Sequence, residues 1–193
     1  MWNVRAATSD HLDALAEVLA DGFVDDPVMS WVFPDAASRP RLLQAMFGFL
    51  AEHRYLPYGQ CTIAPDAAAL WRPIGVESSD EFWEEHGSDF VAAVEGQIER
   101  LDALSEAMGE HHPHEPHRYL LAIAVRPATQ GRGLGGILLA HTLAEADERG
   151  EPAYLEATSP RNRVLYERHG FETIAEFAVD DSPTLWPMWR APR

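Results

Sequence analysis

The sequence predicts a layered α/β fold. Three observations carry that expectation. Apolar residues recur at helical spacing, as in Leu12, Leu15, Leu19 and Phe23. Short apolar runs bounded by turn residues alternate with these segments, as strands do. One such run, Tyr119 to Val125, leads into the stretch Gln130-Gly131-Arg132-Gly133-Leu134-Gly135-Gly136, and a helical pattern from Ile137 to Arg149 follows.

Taken in order, Asn3 to Ala7 reads as a first strand, and Thr8, Ser9 and Asp10 are N-cap residues for the helix after it. Pro27 and Pro34 interrupt the next pattern and leave a loop or short helix. A second helix is expected from Arg41 to Arg54, with Leu42, Leu43, Met46, Phe47 and Leu50 as its buried stripe. Cys61 to Ala64 and Ala67 to Trp71 read as strands joined by a tight Pro65-Asp66 turn. Ser79 to Gly109 is polar and rich in helix formers. Tyr119 to Val125 is a continuous apolar run, as central strands are. Ala153 to Ala157 is a further strand, and Arg161 to His169 a short helix closed by Gly170. Thr173 to Val179 and Thr184 to Trp189 are expected to form a closing antiparallel pair.

The 193 residues suit one domain, 1–193, with no repeat or linker to divide it. Apolar residues make up 46% of the chain, enough for a globular core. The single Cys61 excludes an internal disulfide and fits a reducing compartment. No signal peptide and no run of membrane-spanning length is legible, so a cytoplasmic protein without a membrane partner is expected. With 31 acidic against 15 basic residues the net charge is −16. Such a chain repels nucleic acid. It attracts cations, protonated amines among them, though the same charge also simply solvates a surface.

Glycines at the start of a helix let backbone wrap closely around a ligand. The free N–H groups there favour phosphate. Three phosphate binders compete. A P-loop needs Gly-x4-Gly-Lys-Ser/Thr, and the Lys and hydroxyl are missing. Gly131-x-Gly133-x-x-Gly136 matches a dinucleotide fingerprint, with Glu156 placed like a ribose-binding acid. Against it, Arg126 to Gln130 separate the glycines from the strand, and the chain after the loop is too short for a second mononucleotide half. The third binder is coenzyme A.

Gln130-x-x-Gly133-x-Gly135 resembles the Arg/Gln-x-x-Gly-x-Gly/Ala motif of the GNAT N-acetyltransferases. Asn162-Arg163-Val164-Leu165-Tyr166-Glu167-Arg168-His169-Gly170-Phe171 resembles that family's Asn-x3-Tyr-x3-Gly-Phe. A closer likeness, to puromycin N-acetyltransferase-like proteins, rests on Pro113 to Pro116, Tyr119 to Gly135, Leu155 to Asn162 and Leu165 to Arg168. It covers the C-terminal half well and the N-terminal half thinly. The resemblance implies a mixed, mostly antiparallel sheet, splayed between its fourth and fifth strands, with helices on both faces. It implies an acyltransferase that moves an acetyl group from acetyl-CoA to a small-molecule amine, by direct attack in a ternary complex.

The same resemblance assigns parts. Backbone N–H groups of Gln130, Gly131, Arg132, Gly133, Leu134, Gly135 and Gly136 would cradle the pyrophosphate, with Arg132 adding charge. Backbone groups of Ile123, Ala124 and Val125 would pair with the pantetheine arm, the Val125 N–H serving the oxyanion. Asn162 and Tyr166, four apart, share a helix face. Tyr166 is then either the acid for the departing sulfur or an amphipathic anchor under the sheet. Glu156 is either the base for the amine or a structural carboxylate. Trp31, Phe33 and Trp71 would line an apolar pocket, or be core in the case of Trp71, with Asp25 or Asp26 attracting an amine. His111, His112, His114 and His117 suggest metal ligands, but Pro113 and Pro116 stiffen the segment and a solvent-exposed connector is expected, with no metal. Two other classes remain: a non-catalytic acyl-CoA sensor and an NAD(P)-binding protein. A monomer or homodimer is expected.

Overall fold

A computed structural model describes residues 2–76 and 80–193. Among the described residues, seven strands form one sheet in the order β1-β2-β3-β4-β5-β7-β6. They are β1 (Arg5–Ala6), β2 (Thr62–Ala64), β3 (Ala67–Arg72), β4 (Arg118–Val125), β5 (Ala153–Ala157), β6 (Glu172–Thr173) and β7 (Trp186–Arg190). Only β4 and β5 run parallel; the other neighbours are antiparallel. The fold class is therefore as the sequence predicts, a mixed, mostly antiparallel sheet with helices around it. A dinucleotide site needs a doubly wound parallel sheet. One parallel pair does not make one, so that alternative fails.

The helices are α1 (Leu12–Phe23), α2 (Pro27–Val32), α3 (Arg39–Leu50), α4 (Asp80–Ala93), α5 (Glu99–His111), α6 (Leu134–Glu148) and α7 (Pro160–Arg168). The helical region expected from Ser79 thus breaks into α4 and α5, and Ser79 itself lies outside the described residues. The break falls at Glu95 and Gly96, both left-handed, which an α-helix cannot continue through. The helix expected to reach Arg54 gives way at Ala51 to a wider turn through Tyr55.

Two apolar clusters lie on opposite faces of the sheet. One gathers residues of α1 to α5, including Leu15, Leu19, Phe33, Leu42 and Leu43. The other gathers Leu134, Leu138, Leu139 and Leu143 of α6 with Trp71, Leu155 and Phe171. Each such leucine, fully removed from water, contributes about 1.5–3 kcal/mol. The alanines of β3 keep both faces low, so α1 and α6 both contact the strand.

The closing pair differs from its expectation. Thr173 and Trp186 to Trp189 are paired strand, but between them only Phe177 and Leu185 form a bridge. β7 also inserts between β5 and β6. Pro187 is tolerated there because its carbonyl accepts the Ile174 N–H at 2.9 Å. Its missing donor therefore faces that side, and no ladder bond to β5 is lost.

Gly22 sets how close α1 comes to β4. A Cβ at Gly22 would stand 2.5 Å from the Ala124 Cβ and 3.3 Å from the Val125 carbonyl oxygen. Gly22→Ala should lower stability by about 1–3 kcal/mol despite the higher helix propensity of alanine. Gly87 of α4 has nothing within 4 Å of the same position. Gly87→Ala should stabilise by about 0.5–1 kcal/mol. Denaturant unfolding of the two variants checks both signs.

Candidate functional site

β4 and β5 pair over only three residues, Arg118↔Ala153, Tyr119↔Tyr154 and Leu120↔Leu155. Past Leu120 they part. The cause is local. Opposite β3, Leu70 pairs with Ala122 and Trp71 with Leu120, so Leu121 is an extra residue, a β-bulge. Bulges bend a strand and end its pairing. Leu121 packs with Ala122 and Ala124 on the α1 face, whereas Leu120, Ile123 and Val125 pack toward α6.

Hydrogen-bonded pairs alternate along an antiparallel ladder. The Arg126 N–H donates to the Asp66 carbonyl at 2.8 Å. Counting back through Ala67↔Val125 and Ala68↔Ala124, Ala124 turns its backbone groups to β3. Ile123 and Val125 turn theirs to the open side, where β5 has departed. Of the three positions expected to hold a pantetheine arm, two have the required direction and Ala124 does not.

The glycine stretch lies at the end of that edge. Gly131 and Gly133 have φ of 77° and 82°, which disfavour any side chain, and nothing stands within 4 Å of a Cβ at either. Gly133 is the N-cap of α6, and the first bond back to it comes from the Ile137 N–H at 3.1 Å. The N–H groups of Leu134, Gly135 and Gly136 therefore have no intrahelical acceptor. Arg132 is exposed beside them. Gln130 turns back, its side-chain amide donating to the Val125 carbonyl at 3.0 Å. That bond ties the loop to the open edge of β4.

A narrow cleft fills the gap between the parted strands, lined by Phe23, Leu121, Ile123, Glu156, Asn162 and Tyr166 among others. Tyr166 comes from α7, whose N-cap Ser159 accepts the Asn162 N–H at 3.2 Å. Burial, and then the charge of Asp26, raise the Tyr166 phenol above its ordinary value. Glu156 lies on β5 with a side chain only 3% exposed. Its Oε1 has no hydrogen-bond partner. Tyr119 and Tyr154 flank it, and burial followed by the Glu156 charge pushes both phenols up.

The expected acceptor residues divide. Asp26 caps α2, its Oδ1 accepting the Val28 and Met29 N–H groups at 3.0 Å each. Its Oδ2 accepts the hydroxyl of Thr158, a cleft residue, at 2.5 Å. Those bonds occupy the carboxylate as a structural strap. Phe33 is fully buried in the core and does not line the cleft. Trp31 is also buried, its indole N–H donating to Asp181 Oδ1 at 2.7 Å and its ring under the Arg100 guanidinium. Trp71 is core. Thr158, also in the cleft wall, was missed by sequence reading; its signal is the period-two series Tyr154, Glu156, Thr158 running off β5.

The histidines correct the expectation of a solvent-exposed connector. His114 is exposed, but His111 stacks on Phe177, and His112 and His117 turn in against Tyr154. Among the described residues no three such side chains converge as a metal set.

Residues 82–173 match the family model described as Acetyltransferase (GNAT) domain. That stretch is what this chain shares with a GNAT acetyltransferase domain. Together with the structural likenesses that follow, it makes the chain an acyltransferase. A similar structure is that of histone acetyltransferase HPA2 and related acetyltransferase from Corynebacterium glutamicum, 26% identical over 100% of this chain and 97% of that one, with a TM-score of 0.71. Arylalkylamine N-acetyltransferase 2 from Aedes aegypti shares the fold at 16% identity, over 100% and 99% of the two chains and with a TM-score of 0.71. So does Drosophila melanogaster polyamine N-acetyltransferase, at 19% identity over 99% and 100%, with a TM-score of 0.63. The GNAT glycine loop and tyrosine helix of this chain both lie inside the matched residues.

Burial raises the Asp26 carboxyl above its ordinary 3.8, outweighing the Thr158 and backbone bonds that lower it. The folded state then holds that proton more tightly than the unfolded chain. Stability therefore falls as pH rises from 3.8 through the folded value. Asp26→Asn keeps an acceptor for the cap and removes the charge. Urea unfolding at pH 4 and pH 7 should show the variant gaining on wild type at the higher pH. Asp26→Ala, which removes the cap, should cost about 1 kcal/mol at pH 4 and less at pH 7, where wild type has itself lost stability.

Proposed function

We propose that the protein transfers an acetyl group from acetyl-CoA to an amine of a small molecule, by direct attack in a ternary complex. One observation carries this reading: the open edge of β4 runs from the glycine loop straight to Glu156 and Tyr166. The loop fits a pyrophosphate, because its glycines leave open space and the first-turn N–H groups of α6 are unused. The Ile123 and Val125 backbone groups fit an amide-bearing arm laid along the strand. Acetyl-CoA would supply the thioester carbonyl that the amine attacks.

The chain's own residues then have distinct tasks. Gln130 to Gly136, with Arg132, hold the pyrophosphate, and Asn162 borders the arm. The Val125 N–H, already fixed in direction by β3, stabilises the oxyanion without reorganising. Tyr166 stays protonated at neutral pH, since burial raises it. Tyr166 therefore has a proton to give to the departing sulfur. Glu156 accepts the proton of the arriving ammonium, which an alkyl amine carries at neutral pH.

Support for an amine acceptor comes from the likenesses. The Drosophila enzyme forms N-acetylagmatine and the Aedes enzyme is named for arylalkylamines. The likeness to puromycin N-acetyltransferase-like proteins points the same way. A net charge of −16 draws protonated amines rather than nucleic acid. We read the chain as one domain, working as a monomer or homodimer. Trp31 and Phe33 act from behind the cleft wall, holding α2 and its Asp26 cap in place.

Calorimetric titration with acetyl-CoA, followed by thiol release with an amine panel, tests the reading. Micromolar binding with turnover supports it, and binding without turnover would make the chain an acyl-CoA sensor. Tyr166→Phe should lower kcat about 100-fold at unchanged acetyl-CoA affinity. Glu156→Gln should lose most activity at neutral pH and recover as pH rises, because the amine then arrives deprotonated. Gly133→Val should abolish acetyl-CoA binding by forcing a β-branched residue into a left-handed position.

A further inference from the structure

Two guanidiniums lie buried without an acid. Arg54, in the wider turn after α3, is 8% exposed, and Arg72, at the end of β3, is 9% exposed. The chain has 31 acidic residues, yet among the described residues no carboxylate pairs with either group. The other buried arginines among the described residues, Arg118 and Arg190, each have a partner, Glu151 and Asp147. A buried charge without a counter-ion is costly, and two close together are more so.

Aromatic rings cover both groups instead. Arg54 Cζ lies 4.8 Å from the Phe82 ring centroid and 5.5 Å from that of Trp83, and Arg72 Cζ lies 4.9 Å from that of Tyr119. Stacking uses the face of a guanidinium and leaves the N–H fork in its plane for hydrogen bonds. Among the described residues the Arg54 fork makes none, and Arg72 meets only His112 Nε2, 3.4 Å from its Nη2. The unbonded nitrogens are not among the sealed polar atoms, so they stay open to a small ligand. The two charges feel each other: burial, and then the charge of Arg72, hold the Arg54 guanidinium below its ordinary value. An anion bonded to both forks relieves that repulsion, and such forks match carboxylate and phosphate oxygens.

The pair borders the place assigned to the amine. Arg72 stacks on Tyr119, whose phenol lies against Glu156. The His112 ring that meets Arg72 has its Nδ1 3.8 Å from Glu156 Oε1. One imidazole thus separates guanidinium from carboxylate, a gap that a short carbon chain spans. We propose that Arg54 and Arg72 bind an anionic group on the acceptor, a carboxylate or a phosphate, while its amine meets Glu156. This rests on the acetyltransferase reading. The acceptor class is then a short amine with an anionic tail, rather than a plain alkylamine or a polyamine. Its two ends carry opposite charges and each faces its opposite, which fixes the direction in which the amine arrives.

The test measures thiol release with n-butylamine, γ-aminobutyrate, diaminobutane and phosphoethanolamine, primary amines that differ in the charge of the far end. In wild type, kcat/KM for an anionic amine should exceed that for n-butylamine about 10- to 100-fold, with diaminobutane lowest. The carboxylate and phosphate arms show which oxyanion fits. Arg72→Gln and Arg54→Gln should each cut that ratio about tenfold. The ratio is taken within one protein, so partial loss of fold leaves it unaltered. If neither variant folds, the wild-type order decides. Wild type that uses n-butylamine or diaminobutane as well as both anionic amines overturns the inference alone. So does a preference that survives both substitutions, which would place the anion elsewhere. Wild-type protein that binds no acetyl-CoA, or releases no thiol with any of these amines, overturns the acetyltransferase reading and the anion site with it.

Discussion

The extra residue in β4 is the constraint on which the site depends. Without Leu121 the alternation of β4 would run unbroken, and the strand would stay beside β5 along its length. With it, the phase of the backbone reverses within one residue. Leu120 still faces β5 across a shared register, whereas Ala122 and Ala124 face β3. The open edge that results bears the Ile123 and Val125 groups, and these point where a ligand rather than a strand can meet them. A buried backbone N–H left without any partner costs about 1–3 kcal/mol, so such an edge persists only where water or a ligand reaches it.

The walls of the cleft follow from that bend. α1 closes one side because Gly22 lets it rest on Ala124. The strap from Asp26 to Thr158 joins the start of α2 to the residue that follows β5. α7 closes the other side, and Ser159 starts it at a point that brings Asn162 and Tyr166 to the gap together. The glycine loop is held at the far end by the bond from Gln130 to Val125. Three different elements thus meet one strand edge, each fixed by one or two short-range features.

Buried polar groups gather at the Glu156 end of the cleft. Glu156 has almost no contact with water, and two phenols, a guanidinium and two imidazoles lie around it or one residue beyond. An ionised carboxylate in such surroundings is costly unless paired, and one of its oxygens is not. Stability alone would favour an apolar residue there. Asp26 presents the opposite case: it is equally hidden, but three hydrogen bonds use its oxygens.

Much of the fold was legible because it is written in local periodicity. α1, β4, α6, β5 and α7 appear within a few residues of where apolar spacing and caps place them. The glycine loop was legible because left-handed backbone demands glycine, and Gly131 and Gly133 are left-handed. The direction of Tyr166 and Asn162 was legible from a spacing of four on a helix. What was hidden depends on partners distant in the chain. That Leu121 is a bulge shows only against Leu70 and Trp71. That β7 inserts beside β5 is set by packing, as is the burial of Phe33 and the use of Asp26 as a cap. His112 and His117 look like solvent-facing connector residues until Tyr119, Tyr154 and Trp189 are placed around them. By itself the sequence determined the elements, the glycine loop and the class of chemistry, since each rests on contacts within one or two turns. Only the tertiary structure decided which backbone groups face the cleft and which buried carboxylate keeps an oxygen unbonded, because both depend on the long-range pairing that brings β3, β4 and β5 together.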